Sequence, residues 1–256
     1  MSEIKQYIEK SREIIEKIAA QEAVIAQAAS LFTSTILAGR MVHVFGSGHS
    51  RIMVEEMWPR YGSFPGFNPI VELSLTFHNL VVGANGQRQA MFLENVSGLA
   101  ERILRNYQLS TEDSALVISS SGTNIVPVEI AELFQQKGIK VVSIITKSHS
   151  EASKSKRSDG KKLSDFSDIV LDTCAPAGDA MIQIENLETP VSPGSTLGGV
   201  VLINSIKAKV ASLLTKAGQP PTVLSAANKV GEQQAIALFE KAYDEHASRL
   251  SKLYQF

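Results

Sequence analysis

The sequence lacks most of the features that mark specialised protein classes. Cys174 is the only cysteine in 256 residues. No intrachain disulfide can form, one thiol does not make a metal site, and a reducing, cytoplasmic setting is the expectation. Neither sign of charge is in excess: 25 Lys and Arg face 26 Asp and Glu, for a net charge of -1, so neither nucleic acid nor an anionic membrane is an expected partner. No apolar run approaches the ~20 residues of a membrane span. The opening Met1-Ser2-Glu3-Ile4-Lys5-Gln6 has no basic-then-apolar signal pattern. No Gly-Lys-Ser/Thr occurs, which removes a Walker-type phosphate loop. Internal repeats and long linkers are absent too. With 44% apolar and 20% charged residues, the chain can still bury a sizeable core in one α/β domain.

What is present centres on Ala115-Leu116-Val117-Ile118-Ser119-Ser120-Ser121-Gly122-Thr123-Asn124. The apolar run reads as a buried strand. It breaks into hydroxyls and a glycine, and a helical pattern starts at about Val126. Backbone N–H groups and hydroxyl donors then gather at the positive end of a helix dipole, which is an anion site, with phosphate its commonest occupant. A plain helix cap at Thr123 or Asn124 is the blander reading. A cap needs one such residue, whereas six polar or glycine positions stand here in a row.

From Ile4 to about Ala38 apolar residues (Ile4, Ile8, Ile15, Ile18, Ile25, Ala29, Phe32, Ile36) recur at threes and fours. One long helix, or two joined end to end, is expected there, ending at Gly39. Its stripe suits either its own domain or a second subunit, with the second subunit favoured. Residues 1–38 are thus read as a helical extension and 39–256 as a single domain. Strands are expected at Met41–Phe45, Pro69–Glu72, Ala115–Ile118, Val141–Thr146 and Ile169–Asp172, and a short one at Met181–Ile184. Helices are expected near Arg51–Trp58, Gln89–Asn106, Val126–Gln136, Leu197–Ala217 and Asn228–Tyr254. Lys147–Lys162, with Lys154, Lys156, Arg157, Lys161 and Lys162, is either a solvated loop or a positive rim that steers an anion. The alternation predicts an α-β-α sandwich with a mostly parallel five-stranded sheet. Ligands bind beyond the carboxyl ends of such strands. Both glycine/serine loops sit at such ends and should share one cleft.

The first of these loops is Gly46-Ser47-Gly48-His49-Ser50. It begins like a dinucleotide fingerprint, but Arg51 stands where the third glycine would be, and Glu72 is a weak ribose partner. Gly-x-Gly-x-Ser after a first strand, then Ser-x-Ser-Gly-Thr after a later one, followed by Val141-Val142-Ser143-Ile144-Ile145-Thr146, resembles the sugar isomerase (SIS) fold. Ser192-Pro193-Gly194-Ser195-Thr196 is similar to that fold's segment before its last core helix. The likeness runs from about Met41 to Ala217. The whole sequence is most similar to SIS-domain proteins of undetermined activity that are grouped with phosphosugar isomerases. Phosphoheptose isomerases and N-acetylmuramic acid phosphate etherases are further likenesses. The resemblance implies a sugar phosphate as small-molecule partner and a homodimer or homotetramer; no cofactor or metal is expected. It also implies a phosphate site made of Ser47, Gly48, Ser50, Ser119, Ser120, Ser121, Gly122 and Thr123, in which the amides around Ser120 and Gly122 complete the cradle. Asn124 replaces the serine usual in phosphoheptose isomerases.

Moving a proton between C1 and C2 of a sugar phosphate needs a carboxylate or imidazole near the carbonyl. Glu56, in Glu55-Glu56-Met57-Trp58-Pro59-Arg60-Tyr61, resembles the catalytic stretch of the phosphoheptose isomerases, though only across a gap. Glu94, in Phe92-Leu93-Glu94-Asn95, is similar to the acid/base stretch of the etherases and ranks ahead of Glu56. A solvated surface charge is the bland alternative for either. His49 sits in the first loop and suits a phosphate or sugar oxygen; His78 is a further candidate, and His43 reads as a core residue. Leu202-Ile203-Asn204-Ser205-Ile206-Lys207 lacks the histidine that phosphoheptose isomerases carry there, which argues against a metal-dependent heptose isomerase. An aldose–ketose isomerase is the leading expectation, beside an etherase or lyase acting by elimination and a non-catalytic sensor. No DNA-binding segment is evident.

Overall fold

The computed structural model describes residues 1–76 and 86–254. His78 and most of the loop expected at 83–86 lie outside them. Five strands, β1 (Val42–Gly46), β2 (Phe67–Ile70), β3 (Ser114–Ile118), β4 (Lys140–Ile145) and β5 (Ile169–Asp172), form one sheet in the order β2-β1-β3-β4-β5. Every pairing is parallel. Alternate side chains leave opposite faces of a strand. Val42, Val44, Leu116, Ile118, Val142 and Ile144 join the core on one side. Phe45, Ala115, Val117, Val141 and Ile145 join the core on the other. Both faces are covered over the central strands, so most strand positions are apolar.

The N-terminal stretch forms two helices, α1 (Glu3–Ala19) and α2 (Glu22–Leu37). The break at Gln21 has a physical reason. Its side-chain amide donates to the Asp172 carbonyl at 2.8 Å and accepts from the Asp172 N–H at 2.9 Å, pairing with the open edge of β5 as another strand would. Ile14, Ile18, Ile25, Ala28, Ala29, Phe32 and Ile36 are buried in this chain's own core, so the chain itself covers much of the stripe for which a second subunit was favoured. Ile4, Ile8 and Ile15 stay exposed.

Helix α3 (Arg51–Met57) follows β1, and the expected helix over Gln89–Asn106 is two, α4 (Gln87–Leu93) and α5 (Leu99–Leu104). Gly98, at φ 83, ends the continuity. Helix α6 (Ile125–Gln136) holds the gap: Ser97 Oγ and Gly98 N–H both donate to Glu129, at 2.5 and 3.0 Å. Glu94 consequently sits just past the end of a helix, not within one. The basic segment opens with a short helix, α7 (Lys147–Ala152), and β6 (Ala180–Ile182) pairs antiparallel with β7 (Val191–Pro193).

Helix α8 (Ser195–Lys216) is long and apolar enough to cross a membrane by length and composition, which the run-length reading of the sequence did not register. Its Gly198, Gly199, Leu202, Ile203, Ile206, Val210 and Leu214 are buried inside the fold, where α2 and α3 pack against it. Gly231, at φ 89, splits the last helical stretch into α9 (Ala227–Val230) and α10 (Glu232–Ser251).

Candidate functional site

Gly46 ends β1 opposite Ile118, which ends β3, so the loops that follow leave the same sheet edge side by side. The first loop is one tight 3-10 turn, with Ser50 N–H bonded to Ser47 O at 3.1 Å. Gly46 is needed there, because a Cβ would stand 2.8 Å from the Ser50 carbonyl oxygen. Gly48 supplies a φ of 56. In the second loop Gly122 has φ 62, and a Cβ on it would lie 3.3 Å from Ile145 Cγ2.

Hydroxyl chemistry in the second loop follows from who donates. Gly122 N–H donates to Ser119 Oγ at 3.2 Å; Thr123 N–H and Thr123 Oγ1 both donate to Ser121 Oγ, at 3.3 and 2.9 Å. Each serine hydroxyl carries one proton. Ser119 and Ser121 act as acceptors in these bonds, so their protons remain to be given to an anion. Ser120 is held from below through Thr146 (3.2 Å) and Thr173 (2.6 Å).

These loops line one cleft of ≈ 690 Å³. Of the residues expected at a site, Ser47, Gly48, His49, Ser50, Glu94, Ser119, Ser120, Ser121 and Thr123 border it. Gly122 lies within the same loop. Lys154 and Lys156 border it too, so two of the five named basic side chains face the cleft. Arg157 instead pairs with Glu132 and Asp159, and Lys162 with the Ser150 carbonyl.

Glu94 bridges the loops. Ser47 Oγ donates to its Oε2 at 2.8 Å, and Asn124 Nδ2 donates to its Oε1 at 2.6 Å. Burial pushes its pKa up, while the Ser47 hydrogen bond and the Lys156 charge offset part of that rise. A carboxylate with a raised pKa in a polar cleft suits proton transfer. Glu56 is placed elsewhere. Burial would raise its pKa, but hydrogen bonds from Asn204 and Arg60 and the Lys207 charge outweigh this and lower it. Arg60 stands 2.5 Å from one oxygen and Asn204 2.8 Å from the other. It is absent from the residues that line the cleft.

His43 is buried in the sheet. Its Nδ1 faces Asn68 Nδ2 at 3.0 Å and must accept, which leaves the proton on Nε2, 3.4 Å from Asp113. Among the described residues, no three His, Cys, Asp or Glu cluster in a way that could hold a metal ion.

Several cleft residues escaped sequence reasoning as site members. Asn124 and Lys156 were noted for other reasons. His149, whose Nδ1 is buried without a hydrogen bond among the described residues, carried no signal beyond its basic neighbourhood. Asp179 is in the left-handed region at φ 70 and binds Gly194 N–H, Ser195 N–H and Ser195 Oγ at 3.1, 2.7 and 2.8 Å. It fastens the start of α8 to the rim, and a sixteen-residue separation hides that pairing from local pattern.

The description "SIS domain" matches residues 6–146. A UPF0309 protein of Thermoanaerobacter pseudethanolicus is 34% identical over 92% of this chain and 96% of its own length. One from Listeria innocua is 31% identical over 94% and 96%. Among solved structures, a phosphoheptose isomerase from Neisseria gonorrhoeae superposes with a TM-score of 0.51 at 13% identity, covering 82% of this chain and 97% of that one. The sugar isomerase domain of an RpiR transcription factor from Sphaerobacter thermophilus gives 0.50 at 11%, covering 93% of this chain and 96% of that one. These structural likenesses speak to the fold.

Proposed function

Since the chain belongs to the SIS domain family, we propose that its cleft binds a sugar phosphate and interconverts aldose and ketose forms, with Glu94 as the base. One observation carries this reading: Glu94, its pKa raised, shares the cleft with two hydroxyl loops, and in the second of them Ser119 and Ser121 accept hydrogen bonds and keep their own protons for a ligand. The phosphate lies against Ser50, Ser119, Ser120, Ser121 and Thr123, with Gly48 and Gly122 allowing close backbone approach. Anchored there, the sugar extends a few ångströms to Glu94. The carboxylate takes the C2 proton of the open-chain aldose, the C–H electron pair forms the C1=C2 bond, and the C1 oxygen takes up a proton. Glu94 then returns its proton to C1 while the C2 hydroxyl loses its own, leaving the ketone. His49, in the first loop, is the group proposed to serve the oxygens. Ser47 holds Glu94 and gives the phosphate only its backbone.

Assembly and setting follow from other observations. Exposed Ile4, Ile8 and Ile15 favour a homodimer or homotetramer, and the single cysteine favours a cytoplasmic setting.

The test is a thermal-shift panel of hexose, heptose and amino-sugar phosphates, followed by conversion in deuterated water. Stabilisation at millimolar ligand with deuterium appearing at C1 or C2 supports isomerisation. Stabilisation without exchange or conversion would instead identify a sensor. Loss of a carbon substituent would identify an eliminating etherase. No stabilisation by any member overturns the binding itself.

A further inference from the structure

Lys156 bonds to Asn124, and Asn124 to Glu94. Lys156 Nζ donates to Asn124 Oδ1 at 2.6 Å, and Asn124 Nδ2 donates to Glu94 Oε1 at 2.6 Å. An ammonium only donates, and an ionised carboxylate only accepts. With one on each side, the Asn124 amide has a single self-consistent orientation, its oxygen toward the lysine and its NH2 toward the glutamate.

We propose that Lys156 is a positioning residue that acts through Asn124, locking this amide so that Glu94 stays ionised and takes up its proton on Oε2, the oxygen shared with Ser47. The inference deepens the reading of Glu94 as base and rests on it for its catalytic meaning. The route of the proton follows from the donors. Oε1 faces an NH2 that cannot accept. Oε2 faces a hydroxyl, which can turn from donor to acceptor once the carboxyl is protonated. The Lys156 backbone N–H bonds to the Thr123 carbonyl at 3.1 Å, tying the basic segment to the phosphate loop independently of the side chain. Direct attraction between Lys156 and Glu94 is the competing account. Among the described residues, the other titratable groups lining the same cleft are His49, His149, Lys154 and Asp179.

The two accounts separate without any substrate. Carboxyl NMR titration of the full chain with labelled glutamate follows Glu94, its signal assigned by loss in Glu94→Gln. In Lys156→Met the midpoint should move to higher pH, and Lys156→Arg should restore it. In an Asn124→Ala background, Lys156→Met should shift the midpoint by much less than it does in wild type. Lys154→Met, which removes a charge from the same cleft, should move it less than Lys156→Met. An unmoved midpoint in Lys156→Met, or an equal shift with and without Asn124, overturns the proposal. Because the measurement is ligand-free, its outcome is distinguishable from failure of the isomerase reading. If turnover is found, Lys156→Met should lower kcat more than it raises KM and displace the acidic limb of the pH profile upward.

Discussion

Gly198 lies so close over Thr173 that a Cβ on the glycine would stand 2.1 Å from the threonine's carbonyl oxygen. The first turn of α8 therefore rests directly on the chain leaving β5, and this contact brings Ser195 and Thr196 to the cleft. Thr173 also supports Ser120 through Thr146. One close approach thus serves both walls of the site.

Gly198→Ala should destabilise the protein by about 1–3 kcal/mol or more, because the obstacle is backbone and cannot rotate away. Gly199→Ala meets the Met53 side chain instead, at 1.9 Å from its Sδ. A methionine can repack, so this change should cost less. Urea denaturation checks the order: a larger fall in midpoint for Gly198→Ala, with unchanged slope.

A buried ion pair makes a second prediction, about acid. Asp113 is 2% exposed and accepts from Arg40 Nε and Nη2, both at 2.9 Å, and from the Ser110 N–H at 2.8 Å. Burial pushes its pKa up, yet the neighbouring His43 and the Arg40 hydrogen bonds outweigh burial and hold it at about 2, against an ordinary 3.8. The folded state binds that proton less tightly than the unfolded chain. Its contribution, roughly 2 kcal/mol by linkage, is complete above the ordinary Asp range and lost as pH falls from 3.8 toward about 2. Asp113→Asn should be less stable than wild type at pH 7, with the gap closing over that window in pH-dependent denaturation.

Much of this was legible in the residues. Four of the five strands read as apolar runs because the sheet faces are covered, and β5 occupies Ile169–Asp172 as expected, whereas β2 runs over Phe67–Ile70 and not over the expected Pro69–Glu72. The serine runs marked the cleft because each ends a strand, and the parallel register placed those ends together. What stayed hidden depended on contacts distant in sequence. No proline or glycine announces the break at Gln21; its reason is a strand edge 151 residues away. The split between α4 and α5 is held by Glu129 from another helix. Periodicity along 89–106 cannot show that, although Gly98 offered a local hint. Glu94 and Glu56 looked alike in sequence and separated only through their neighbours, hydroxyl and amide donors for one and an ion-paired cluster for the other.

Ser121→Ala should weaken sugar-phosphate binding by about ten- to a hundredfold. The change removes a hydroxyl proton proposed for the phosphate, and a hydrogen bond to a charged group contributes about 1.5–3 kcal/mol. It also takes away the acceptor used by Thr123 Oγ1. Ser143→Ala is the matched control. Ser143 Oγ is buried in β4 without a hydrogen bond among the described residues and lies outside the cleft. Its removal should leave affinity unchanged and stability equal or slightly higher. Calorimetric titration of both variants against a stabilising ligand from the panel makes the comparison. Equal affinity for Ser121→Ala and wild type would remove Ser121 from the phosphate site.

Glu94→Gln tests the base by two independent readouts. In catalysis, the amide cannot take a proton from C2, so kcat should fall by about 10²–10⁴. Binding should be retained or tightened, since a phosphate dianion no longer shares the cleft with a carboxylate. Stability gives the second readout. The raised pKa means that folded Glu94 holds its proton more tightly than the unfolded chain does. The ionised carboxylate is therefore a burden that grows as pH rises from the ordinary 4.5 toward the raised value and then stays constant. Glutamine carries no such burden, while its oxygen can still accept from Asn124 and its NH2 can donate to Ser47. Thermal melts of the two proteins should lie close together at acid pH and separate near neutrality, with Glu94→Gln the more stable. A gap that is flat with pH would mean that Glu94 titrates like a surface carboxylate. Its place as the base would then fall, even if the cleft still bound a sugar phosphate.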